Sequence, residues 1–184
     1  EYKKLIIGLL AFTLFKSSDF FLFLKAKQSG LDDTMVIGVY IFYNLIYALF
    51  AFPIGILADK VGLKTMFVIG LALFSVVYFG MSSNTNLYVF FGLFFLYGIY
   101  ASSTEGISKA WISNITEKKD TATAIGTFSG LQSICTMLAS SLTGLIWFKF
   151  GATTTFLITA TATIFVVLYI LTIPKPETIR NGTN

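Results

Sequence analysis

The 184 residues are 55% apolar and only 12% charged, about half the charged fraction of an average soluble domain. That balance excludes a water-soluble globule and places the chain in a bilayer. Having no histidine and a single cysteine, Cys135, it can hold neither a His-based metal site or triad nor an intrachain disulfide, and Cys135 reads as a small packing residue.

A membrane helix needs about 20 mostly apolar residues. Six stretches meet that need: 5–24, 35–58, 65–83, 87–108, 121–147 and 153–173. They predict an all-α integral membrane protein, a bundle over 1–173 followed by a polar tail over 174–184. Short connections at 59–64, 84–86 and 148–152 predict helical hairpins. Barrel strands would alternate apolar and polar residues, and that pattern is weak here. The leading "EYKK" and the long first apolar run carry no cleavage-site pattern, so no signal peptide is expected. The chain does not start with Met, so a fragment of a longer protein is expected.

The first span is interrupted by "KSSD" at 16–19, which puts Lys16 and Asp19 within one turn. A charge at the centre of a membrane helix costs about 2.5–3.5 kcal/mol. The Lys16 stem is too short to reach the headgroups from that depth, so it needs water or an acid, and Asp19 at i+3 is the nearest acid. The second span carries Tyr40, Asn44 and Tyr47 at i, i+4, i+7. The third, "MFVIGLALFSVVYFGM", is nearly featureless and is expected to face lipid. In the fourth, Glu105 lies one turn before Lys109 in the favourable order, about 12 Å or more from the depth of Lys16. Glu105 is therefore expected at the cytoplasmic gate, within reach of Lys60 or Lys64. The fifth span has a polar face of Ser129, Gln132, Ser133, Thr136 and Ser140, with Gly126 and Gly130 spaced for close helix packing. Thr155, Thr159 and Thr163 in the sixth repeat every four residues and read as a packing face.

Six spans put both ends on one side of the membrane. That side holds Lys3, Lys4, Lys60, Lys64, Lys109, Lys118, Lys119, Lys175 and Arg180, against Lys25, Lys27 and Lys149 on the other. Both termini are therefore expected in the cytoplasm. The net charge of +4 fits loops beside anionic lipid, not nucleic-acid binding. The "NIT" and "NGT" triplets would then never meet a glycosylating compartment.

Between the second and third spans stands "FPIGILADKVGLKT". Gly55, Asp59, Lys60, Gly62 and Lys64 fit G-x-x-x-D-[RK]-x-G-x-[RK]. This resembles the signature loop of the major facilitator superfamily of secondary transporters, on the side and between the helices where that family carries it. Leu63 departs from the pattern, since a basic residue is common there. The loop's two glycines allow a tight turn and close helix approach. Asp59 is placed to cap a helix or hold a salt bridge. The resemblance implies a gating latch made of these five residues. It also implies a fold of two six-helix halves, each a 3+3 inverted repeat. "GLIWFKFG" resembles the junction of the family's last two helices. The fifth span lacks the Gly-Pro pattern of the first half, and the fourth lacks its Arg. The chain therefore resembles the C-terminal half, with the N-terminal six-helix half missing.

Depth counted at 1.5 Å per residue puts Lys16, Gln132 and Tyr47 near the bilayer midplane, where such transporters bind substrate. The expected transport pathway is Lys16, Asp19, Tyr40, Asn44, Tyr47 and Gln132. Asn44 and Gln132 could instead hold the bundle together by interhelical hydrogen bonds, and Lys16–Asp19 could be a dry ion pair. The function expected is secondary active transport of a small solute by alternating access, in a plasma or inner membrane. A coupling proton would use Asp19 or Glu105. No cofactor, metal or nucleotide motif is present, so an enzyme is not expected. The rivals are a stand-alone six-helix homodimeric transporter, and a channel or receptor that kept the fold.

Overall fold

The computed structural model describes residues 2–16, 18–83 and 86–173, and within them the chain is all-helical. The expected tail at 174–184 lies outside the described residues. The helices are α1 (Tyr2–Phe15), α2 (Phe20–Gln28), α3 (Asp33–Val61), α4 (Leu63–Ser83), α5 (Leu87–Asn114) and α6 (Thr121–Thr172). In lipid every backbone polar group must be satisfied within the protein, by helices or by closed barrels, and continuous apolar runs without strand alternation take the helix. Among the described residues, four stretches are long and apolar enough to cross a membrane: Tyr2–Gln28, Asp33–Val61, Leu63–Ser83 and Thr121–Thr172.

Two of these differ from the sequence expectation. The first is not one continuous helix, because α1 stops at Phe15 and α2 restarts at Phe20. The last is one long helix interrupted at Gly151, whose φ of 81° and ψ of 173° are non-helical. The expected loop at 148–152 thus contracts to a single residue. The chain folds back there. Trp147 and Phe156 would lie about 13 Å apart along a straight helix, yet their ring centroids are 5.5 Å apart. The outer ends of the two arms also meet α1 at one level: the Tyr2 hydroxyl donates to the Ala124 carbonyl, and the Tyr169 hydroxyl donates to the Lys4 carbonyl. The arms, 121–150 and 152–172, therefore run antiparallel.

Local signals set the other ends. Asp32 caps α3 by accepting from the Met35 N–H at 2.7 Å, and Asn86 caps α5 by accepting from the Tyr88 N–H at 2.9 Å. The turn from α3 to α4 is Gly62 alone, at φ +95°, a left-handed conformation that a side chain would strain.

Lipid tails are as apolar as leucine, so packing rather than the hydrophobic effect holds such helices together. Here the packing is aromatic. The Phe74 ring stacks on Tyr78 with centroids 4.1 Å apart, meets Tyr100 at 4.8 Å and takes the edge of Phe12 at 5.3 Å. Tyr78 in turn meets Phe156 at 5.2 Å. Such pairs contribute about 0.5–1.5 kcal/mol each beyond burial. The third span, expected to face lipid, shows two faces: α4 buries Phe67, Leu71, Phe74, Val77, Tyr78 and Met81 against α5 and α6, while Ile69, Ala72, Val76 and Phe79 form an exposed stripe on the other side. A helix apolar all round does not declare its buried side. Thr155, Thr159 and Thr163 of the second arm are buried as expected. Thr163 Oγ1 donates to the Thr159 carbonyl at 2.8 Å, and Thr155 Oγ1 to the Gly151 carbonyl at 2.9 Å.

Candidate functional site

The interruption at 16–19 opens onto a cavity of about 450 Å³ between α1, α5 and the first arm of α6. Four charged residues line it: Lys16, Asp19, Glu105 and Lys109. Thr13, Ser18, Thr104, Ser108, Gln132 and Thr136 add polar groups, and Leu9, Phe12, Phe67, Tyr100 and Phe128 supply apolar wall. Irregular backbone at membrane depth is tolerated only where protein buries it or where it lines a water-filled cavity. The gap between α1 and α2 does line a cavity, with Lys16 and Asp19 at the gap and Glu105 and Lys109 facing the same cavity from α5.

Asp19 is the most heavily engaged of the four. The Tyr97 hydroxyl donates to its Oδ1 at 2.6 Å, and the Tyr43 hydroxyl to its Oδ2 at 3.2 Å. Lys16 Nζ is 3.6 Å from Oδ1, and it also lies 5.6 Å from the centre of the Tyr100 ring. The carboxylate is thus neutralised by one helix and oriented by two others. Gly98 makes this possible. A Cβ there would stand 2.7 Å from Ile46 Cγ2 and 2.9 Å from the Tyr43 carbonyl oxygen. Only glycine lets α3 come close enough to α5 for Tyr43 and Tyr97 to share one carboxylate.

The structure brings Lys16, Asp19, Gln132 and Glu105 to the same cavity. For Glu105 this differs from the expectation of a gate residue paired with Lys60 or Lys64. It is exposed to the cavity and faces the Tyr47 hydroxyl. Tyr40, Asn44 and Tyr47 do not line the cavity. Asn44 Nδ2 donates back to the Tyr40 carbonyl at 2.8 Å within α3, and Tyr40 rests against Phe23 and Tyr43. Among the signature residues, Gly62 forms the turn, but Gly55 sits inside α3 with open space around it, neither turn nor close approach. Asp59 and Lys60 are exposed in the last turns of α3, at the C-terminal end of that helix. Lys64 Nζ instead donates to the carbonyls of Leu171 and Ile173, satisfying the C-terminal end of α6. Gly126 and Gly130 also face open space, with no helix seated on them among the described residues.

Sequence reasoning missed Tyr43, Tyr97 and Tyr100. The signal was there: Tyr97 and Tyr100 lie one turn apart just before the polar run of α5, and Tyr43 lies one turn from both Tyr40 and Tyr47. At 3.6 residues per turn Tyr43 lies about 40° from Tyr47 and about 60° from Tyr40, so the residue that meets Asp19 stands at the edge of the stripe chosen on α3.

Comparison with known proteins agrees with this architecture. Residues 5–183 match the model of the Major Facilitator Superfamily. An uncharacterized MFS-type transporter of Methanocaldococcus jannaschii is 34% identical over 163 residues, which is 85% of this chain and 41% of that protein. The chain thus spans less than half the length of that relative. With a charged cavity at an interrupted helix inside an all-helical multi-pass membrane protein, and a family match over nearly its whole length, the chain belongs to the Major Facilitator Superfamily of membrane transporters, not to an enzyme family.

Proposed function

We propose that this chain is the C-terminal six-helix half of a secondary transporter that moves a small solute by alternating access. In this reading the six spans are Tyr2–Gln28, α3, α4, α5 and the two arms of α6, with both termini in the cytoplasm. The single observation that carries the reading is the cavity at the gap between α1 and α2. Buried charge at that depth is costly and is kept where it meets water or substrate. Discontinuous helices are where secondary transporters place their binding sites.

Two further observations support the half-transporter reading. The M. jannaschii relative is more than twice as long as the segment matched. The face of α3 that bears Ile41, Leu45, Leu49 and Phe52, and the face of the first α6 arm that bears Ile134, Met137, Leu142 and Leu145, are left uncovered. A second six-helix half would cover them. Asp59 and Lys60, exposed at the α3–α4 turn, are proposed to latch that half in one closed state.

The test is accessibility. In the intact transporter with Cys135→Ser, a Lys16→Cys variant should react with a water-soluble thiol reagent, and a transported solute should protect it. Concentrative uptake into proteoliposomes should collapse with an uncoupler if a proton is coupled. Failure of Lys16→Cys to react from either side of the membrane refutes the pathway; uptake that only equilibrates indicates a channel.

A further inference from the structure

A second concavity lies on the opposite side of α1 from the charged cavity. It is a groove of about 670 Å³ between α1 and the second arm of α6, walled by Ile7, Ala11, Phe15, Ile158, Phe165 and Tyr169. Its walls are apolar apart from the Thr161 hydroxyl and the Tyr169 phenol, and Phe165 stands 67% exposed. We propose that this groove binds one anionic phospholipid, with an acyl chain along the groove and its headgroup at Lys4.

The two ends of the groove differ. Lys4 stands three, seven and eleven residues before Ile7, Ala11 and Phe15, which puts it on the groove face of α1. It is exposed, as is its neighbour Lys3. The Tyr169 hydroxyl donates to the Lys4 carbonyl at 3.2 Å, so the groove ends beside this lysine. Gly8 holds the phenol there: a Cβ at that position would lie 3.1 Å from the Tyr169 ring. A tyrosine with its ring in hydrocarbon and its hydroxyl at a basic helix end is typical of the headgroup level. From Lys4 to Phe15 the groove runs about 16 Å along α1, close to the roughly 15 Å depth of one leaflet's hydrocarbon. A basic end, an interfacial phenol and one leaflet of apolar wall match a lipid with a negative headgroup. A zwitterionic lipid would gain the wall but not the charge. Basic pockets between membrane helices bind anionic headgroups in this way.

The experiment uses the intact protein carrying Phe165→Trp, at an exposed position where an indole fits without repacking. It is reconstituted with brominated phosphatidylglycerol or brominated phosphatidylcholine, and quenching is measured above the background of Trp111 and Trp147. Phosphatidylglycerol should be preferred by about fivefold per engaged lysine. Lys4→Gln should bring that preference close to parity, and Ala162→Leu, which narrows the groove, should weaken quenching by both lipids. Equal quenching by the two lipids, or a preference that survives Lys4→Gln, overturns the proposal. So does an absence of quenching by either, as when a second copy or another segment of the protein covers the groove. The outcome is independent of whether the charged cavity carries solute.

Discussion

Asp19 offers the sharpest test of the candidate site, because three partners converge on it and their distances rank them. Tyr97 is closest at 2.6 Å, Tyr43 follows at 3.2 Å, and Lys16 lies at 3.6 Å, beyond hydrogen-bond length. Hydrogen bonds to a charged group contribute about 1.5–3 kcal/mol. Removing one member of a buried ion pair costs about 3–5 kcal/mol. The Lys16 and Asp19 side chains keep 23% and 34% exposure, so the lower end applies. Asp19→Leu strands both the Lys16 cation and the Tyr97 hydroxyl, and should cost about 3 kcal/mol. Lys16→Met leaves the carboxylate with two tyrosine donors and should cost about half as much. If the pair stood alone, the double variant would recover stability, since replacing both charges by apolar groups is often neutral. Here it should recover only in part, because the Tyr97 hydroxyl, on a residue 1% exposed, is left unpartnered at about 1–3 kcal/mol. Adding Tyr97→Phe should then restore about 1 kcal/mol or more. Thermal unfolding of the detergent-solubilised protein, followed by circular dichroism, reads all four variants. A double variant as stable as the unsubstituted protein, or a triple variant no better than the double, refutes the three-partner account. Full transport by the double variant would show that the pair is structural and sink the pathway reading.

Gly98→Ala should destabilise by about 1–3 kcal/mol through overpacking against Ile46 and should weaken transport by withdrawing Tyr43 from Asp19. Gly126→Ala, which meets nothing among the described residues, is the comparison in the same unfolding assay. Lys64→Met should lower stability by about 0.3–1 kcal/mol, since the α6 terminus loses its cationic donor; an unchanged unfolding midpoint would count against the cap. Asp59→Asn should slow transport in the intact protein while leaving insertion and stability unchanged, because Asp59 is exposed; a wild-type transport rate would remove it from the latch.

Composition alone determined the environment, and the environment determined the secondary structure. A chain 55% apolar, whose apolar runs are long and lack strand alternation, forms helices, because hydrocarbon leaves the backbone no partner outside the protein. The cost of burying charge singled out Lys16 and Asp19 for the same reason, and the signature spacing identified the superfamily. Tertiary structure decided what depends on how each helix is rotated about its axis. It turned Tyr43, at the edge of the predicted stripe, rather than its Asn44 side toward Asp19, because Gly98 sets where α3 and α5 touch. It buried one face of the featureless α4 and, among the described residues, left Gly126 and Gly130 open. It also brought Glu105 into the cavity, which counting residues along a single straight helix could not do. Hydrophobic runs fix where a membrane helix begins and ends, but with lipid and protein interior equally apolar they do not fix which face turns inward. That is settled by close glycine contacts, aromatic packing and the few polar groups that must find each other.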